Sequence, residues 1–296
     1  IESICGAVYI CCGYVCRCSW AFKIRYNFVM NWIIASIFMF VSSIGTYLFI
    51  RKCSLLKTPI VHQNLALFAI PLSIYIVLAH INQTSLHISA YQFSIIMIAA
   101  VLFSYAGNIF SLKSIEYAPN PGYSLILSKS YVLFTTIVAV LFFHGQITVR
   151  GGWAILLIIV ASALVMIGKP KSDQSHVRSI WVPLAIGSFF CWGMLAIVSK
   201  YLLDMGVPIY TRLIYVMTIV TVLILTEMKF SRAPRMHLSR LQIGFLVLSG
   251  VMSAVFNYFQ QLGYQLAPNI GYINAINVSS IAVLSLCSAW IFGDEL

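Results

Sequence analysis

The sequence predicts an all-α polytopic membrane protein, a ten-span bundle of two inverted five-helix repeats in which nine spans are present and the tenth is missing. Three observations carry that expectation. Of 296 residues, 61% are hydrophobic and 8% charged, with mean hydropathy +0.95, against about half apolar and a quarter charged in a soluble domain. A water-soluble exterior of this size could not be coated by so few charged side chains. The apolar residues fall in long continuous runs, unlike the roughly ten-residue alternating strands of an outer-membrane barrel. Lastly, the sequence repeats itself at an offset of 149 residues, as from Ala118 to Ala267.

About 20 apolar residues cross a hydrocarbon layer of roughly 30 Å, and charge clusters, Gly and Pro punctuate nine such runs. The first, about 31 to 50, opens at Met30-Asn31-Trp32 and ends at Arg51-Lys52. The second and third cover about 61 to 81 and 92 to 115. Pro119-Asn120-Pro121 leads into the fourth, about 121 to 143, and Lys169 closes the fifth, about 151 to 168. After a polar gap come the sixth, about 180 to 202, and the seventh, about 209 to 227. The gap Lys229 to Ser239 precedes the eighth, about 241 to 266, and Pro268-Asn269 leads into the ninth, about 270 to 292. Short connections make sequential spans antiparallel neighbours and leave no room for an extramembrane catalytic domain. The domain reading is therefore an atypical leader at 1–29, a first repeat at 30–168, a linker loop at 169–179 and a second repeat at 180–296.

The leader differs because its apolar stretch is short and is broken by Arg17, Lys23 and Arg25. It is read either as lying upstream of the true start or as a signal-like or interfacial segment. Five of eight cysteines crowd into it, Cys5, Cys11, Cys12, Cys16 and Cys18. No histidine pair follows at zinc-site spacing, so small apolar filler is the expected role and no metal site is expected.

In the repeat, Ala118-Pro119-Asn120-Pro121-Gly122-Tyr123 falls on Ala267-Pro268-Asn269-Ile270-Gly271-Tyr272, with Ser104 on Ser253, Asn108 on Asn257, Phe110 on Phe259, Ser130 on Ser279 and Trp32 on Trp181. Positions 104 to 131 hold nine identities, where chance supplies roughly two or three. Five spans per period is an odd number, so the second copy enters the membrane from the opposite side. Inverted repeats of this kind can open a midplane site alternately to either face. The same arithmetic places a tenth span at about 300 to 317, beyond Leu296.

These features resemble the EamA branch of the drug/metabolite transporter superfamily from about Met30 to Leu296. The matching pieces are the Ala-Pro-Asn-x-Gly-Tyr junction in both copies, Phe190-Cys191-Trp192-Gly193 with Lys200, and the Gly293-Asp294-Glu295-Leu296 close. His144-Gly145-Gln146 departs from the pattern, where the first copy would often carry a Glu. The resemblance implies a carrier or exporter of small metabolites such as amino acids, or of drugs, in a bacterial inner membrane.

Lys129 lies eight residues into the fourth span, roughly 12 Å along its axis and so near the bilayer centre. A central Lys costs roughly 2.5 to 3.5 kcal/mol and usually faces the bundle interior or a wet path. It could attract an anionic group, exchange protons, or merely pair with a carbonyl. Ser104 with Asn108, and Ser253 with Asn257, are one turn apart and share a face; either helix glue or cavity lining fits them. Asn274 and Asn277 share a face of the ninth span and are read as cavity lining. Trp192, Tyr123 and Tyr272 could touch a ligand or serve as packing and interface anchors.

No metalloprotease, phosphate-loop or nucleophile-elbow motif is present, so neither an enzyme nor a cofactor is expected. Net charge +11 is explained by the positive-inside rule in place of nucleic-acid binding. Eleven cations follow spans one, three, five and seven, whereas the opposite ends hold Arg150, Lys200 and Arg212. The rule puts the larger set in the cytoplasm; the resemblance implies cytoplasmic termini instead. The expected function is transport of small polar solutes by alternating access, the alternatives being a multidrug exporter or a truncated, non-transporting membrane protein. The expected partners are a small-molecule substrate and the lipid bilayer, with proton coupling and homodimerisation open.

Overall fold

The computed structural model describes residues 31–118, 121–166, 179–230 and 238–292. The expectations on the leader, on Pro119 and Asn120, on linker residues 169–178 and on the closing Gly293-Asp294-Glu295-Leu296 lie outside them. Among the described residues every regular element is helical.

The first two spans are α1 (Trp32–Leu55) and α2 (Ile60–Ile81). The third joins α3 (Ala90–Ile98), a π-helical segment (Ala99–Tyr105) and α4 (Ala106–Tyr117). The fourth joins α5 (Pro121–Lys129) to α6 (Tyr131–Phe142), and the fifth is α7 (Val149–Met166). The rest are α8 (Trp181–Asp204), α9 (Ile209–Phe230), α10 (Arg240–Leu266) and α11 (Ile270–Phe292). Eight of these stretches are long and apolar enough to cross a membrane, and α7 adds a shorter apolar run, Val149–Ala161. Large apolar side chains such as Val41, Ile76, Leu157 and Val222 stand on the outside of the bundle, where lipid and not water is the solvent that accepts them. The chain is an integral membrane protein.

Each helix start has a chemical cause. Asn31 Oδ1 accepts from Ile33 N and Ile34 N, both at 3.0 Å, satisfying two of the amides that a helix leaves unpaired. Reciprocal capping boxes open α3 and α10: Ser89 with Gln92, and Ser239 with Gln242. Asn269 Oδ1 accepts from Gly271 N at 2.8 Å and so caps the start of α11.

Two spans expected to be continuous are interrupted. In the fourth, the turn tightens at Ser130, whose carbonyl accepts from Leu133 N at 3.0 Å and whose hydroxyl donates to Leu127 O at 2.7 Å. In the third, the π segment widens the helix over seven residues; such a bulge holds one extra residue within an α-helix.

Helix α10 lies between α1 and α2, and α2 packs on α9. On the other side α8 packs on α4, the π segment, α5 and α6, while α11 packs on α1, α6 and α7. In terms of spans, one lies on eight and nine, six lies on three and four, two meets seven, and four meets nine. Small residues allow these approaches. A Cβ at Gly250 would stand 2.6 Å from Ile70 Cβ and 2.8 Å from Ala66 O, and Tyr75 OH donates to Ala254 O across the same seam at 2.6 Å. Gly250→Leu is therefore expected to destabilise the bundle by about 1–3 kcal/mol through overpacking, seen as a lower unfolding midpoint in detergent, whereas Gly244→Leu, with open space around it, leaves the midpoint unchanged.

Candidate functional site

A row of polar side chains crosses the middle of the bundle. Lys129 ends α5, and its Nζ stands 5.7 Å from the centroid of the Trp192 ring on α8. A cation over an indole face gains about 0.5–2 kcal/mol, part of the cost of bringing the ammonium into lipid. Lys129 is half-buried, and Tyr47 of α1, which stands near Tyr131, is 45% exposed. Ser130 interrupts the helix beside Lys129, and broken helical backbone at membrane depth is tolerated where it is buried in protein or lines a cavity.

Two residues beyond Lys129, Tyr131 is buried at the start of α6, with the side chain of Asn277 of α11 beside its hydroxyl. Asn274, also on α11 and 0% exposed, donates through Nδ2 to Thr135 Oγ1 of α6 at 3.0 Å. Its Oδ1 accepts from Tyr264 OH of α10 at 2.6 Å. Ser280 donates to Asn277 O at 2.6 Å and meets Ser43 of α1 at 2.9 Å. Beside Tyr264 sits Arg212 of α9, 2% exposed, whose Nη2 donates to Ser199 Oγ of α8. Apolar side chains cover this end: Met39, Ala139, Leu203, Ile270 and Ile273, with Trp32 and Ile209 against them. The row thus runs from the buried Arg212 to the half-buried Lys129.

The structure brings Lys129 and Trp192 together and places Asn274 and Asn277 in the same row. Tyr272 stacks on Trp32 with centroids 5.7 Å apart, and its hydroxyl accepts from Thr148 N at 3.3 Å. Tyr123 is 39% exposed near the start of α5, away from the row. Asn257 donates to Ser253 O at 2.8 Å within its own helix, while Ser253 Oγ donates to Leu67 O of α2 at 3.1 Å; this pair holds α10 to α2. Asn108 lines a separate cavity of about 230 Å³ between α2, α4 and α9, with Tyr105, Lys113 and Glu227, where Tyr105 OH donates to Glu227 Oε2 at 2.9 Å.

Sequence reasoning missed Tyr131, Thr135, Tyr264 and Arg212. Arg212 lies near a helix end as expected, in the first turn of α9, but it is buried and not solvated. Lys200 pairs with Asp204 at 2.8 Å. The available signal for Arg212 was its place inside an apolar run that starts just after Pro208.

No family model and no curated protein matches the chain. Solved structures do match in fold: one crystal structure of a protein superposes with a TM-score of 0.68 over 88% of this chain and 88% of its own, at 12% identity. The bundle architecture is therefore shared with a protein of very different sequence, and at that identity the likeness speaks for the fold alone.

Proposed function

We propose that the chain is a secondary carrier of small polar solutes that works by alternating access, with Lys129, Trp192, Tyr131 and Asn277 lining the solute path. The observation that carries this reading is Lys129 itself: a half-buried cation at mid-span, beside an interrupted helix, held against Trp192. A structural residue has no need of a charge at that depth, and intramembrane cations usually mark a solute or proton path. Interrupted helices at the midplane are also a recurring feature of carriers.

The carrier reading includes two halves of opposite orientation. Its support is the sequence repeat and the way span contacts exchange under it: one on eight as six on three, one on nine as six on four, with two on seven and four on nine exchanging into themselves. The capping boxes add to it, since each opens the third span of its half. Ser89 precedes Ser104 by 15 positions and Ser239 precedes Ser253 by 14. The extra residue falls where the third span turns π-helical, as a single insertion into an α-helix requires. The EamA-like character and a bacterial inner-membrane location belong to the same proposal, resting on the sequence motifs.

Reconstitution tests it. In liposomes, the purified chain is expected to catalyse saturable counterflow of at least one labelled small metabolite, with proton coupling read from the effect of a pH gradient. Protein-free rates across a broad metabolite panel would count against the reading.

A further inference from the structure

Two cations stand in the polar row, and neither Asp204 nor Glu227 joins them. Asp204 pairs with Lys200, and Glu227 accepts from Tyr105 in the separate cavity. Lys129 faces the ring of Trp192. Arg212 is 2% exposed, spends one donor on Ser199, and leaves Nε buried without a partner. A buried guanidinium with an idle donor and no counter-ion among the described side chains is costly in an apolar medium.

We propose that the transported solute is a small organic anion bearing a carboxylate or phosphate, taken by Lys129 beside Trp192, with Arg212 as a second cation beyond the Tyr264–Asn274–Thr135 chain. This inference rests on the carrier reading. The ammonium acts as a point charge that either oxyanion satisfies, while the fork of Arg212 fits their paired oxygens. The aromatic rings of Trp192, Tyr131 and Tyr47 and the amide of Asn277 supply walls and a neutral donor, and an anion would balance the charge the row carries. A neutral solute would leave both cations uncompensated.

Charge-matched probes test this without needing transport. The purified full-length chain in detergent, at low ionic strength where such contacts are least screened, is titrated with glutarate, phenylacetate, glycerol 3-phosphate and inorganic phosphate, and with the neutral glutaramide, phenylacetamide and glycerol, following the unfolding midpoint and equilibrium dialysis. At least one anion is expected to bind about tenfold or more tightly than its neutral counterpart, and which one binds separates carboxylate from phosphate. Lys129→Gln should weaken that anion by at least about tenfold, with Lys129→Arg retaining most of the affinity. Arg212→Gln and Arg212→Lys extend the test to the second cation, and if Arg212→Gln fails to fold the Lys129 pair still decides. Equal binding of neutral and charged partners, no binding of any anion, or anion binding untouched by Lys129→Gln would overturn the proposal. Uptake of neutral solutes in liposomes would likewise refute it while leaving the carrier intact; anion binding with no transport would do the reverse.

Discussion

Replacing Lys129 by Met is expected to abolish transport and, at the same time, to leave the protein as stable as before or more so. The two effects separate because the ammonium has no carboxylate partner among the described residues, so the fold carries its desolvation cost with only the Trp192 ring to offset it. Met keeps most of the side-chain volume and removes the charge, so packing against α8 survives. A charged contact to solute contributes about 1.5–3 kcal/mol, roughly ten- to a hundredfold in apparent affinity. Uptake should fall by that factor or more while the unfolding midpoint holds or rises. Lys129→Arg, which can still lie over the indole, should keep part of the activity. A midpoint that drops along with activity in Lys129→Met would make the residue a structural strut.

Asn274→Leu is expected to produce the opposite pattern, a large loss of stability. The amide serves two partners from other helices, Tyr264 OH and Thr135 Oγ1, and leucine leaves a buried tyrosine hydroxyl without its acceptor. An unsatisfied buried polar group costs about 1–3 kcal/mol, and the steric mismatch of a branched apolar side chain adds to it. Thr135→Val removes only the weaker partner, so the double variant measures the link between α6 and α11: a coupling energy of about 0.5–3 kcal/mol is expected. Additive effects would show that Asn274 and Thr135 do not act together.

The spans were legible because crossing lipid demands about 20 apolar residues, a requirement that leaves little freedom in where a helix begins and ends. Their interruptions were not. Ser130 follows Lys129 with no Gly or Pro to mark a break, and the tightening shows only in the bonds of Ser130 to Leu127 and Leu133. The π segment becomes visible in sequence only when the distances from Ser89 to Ser104 and from Ser239 to Ser253 are compared, since Ala99–Tyr105 has an ordinary helical composition. Within the row, Lys129 stood out by its cost, and Asn274 and Asn277 by their polarity in an apolar run. Tyr131 and Tyr264 did not, because tyrosine is equally at home at a membrane interface, and only the fold turns these two inward. Asn108 and Asn257 share the repeat offset yet differ in setting: Asn108 stands on a cavity wall, while Asn257 closes on its own helix. Identity at matched positions thus does not mean the same surroundings.

The central claim is that two halves of opposite orientation enclose the polar row. Ala90 and Arg240 occupy the same place in each half, the first residue after a capping serine, and both are exposed. With the native cysteines replaced, Ala90→Cys and Arg240→Cys introduced one at a time into sealed vesicles of single orientation report their sidedness to a membrane-impermeant thiol reagent. The two positions are expected to label from opposite faces. Labelling of both from one face would mean parallel halves, and the alternating-access account would fall with it.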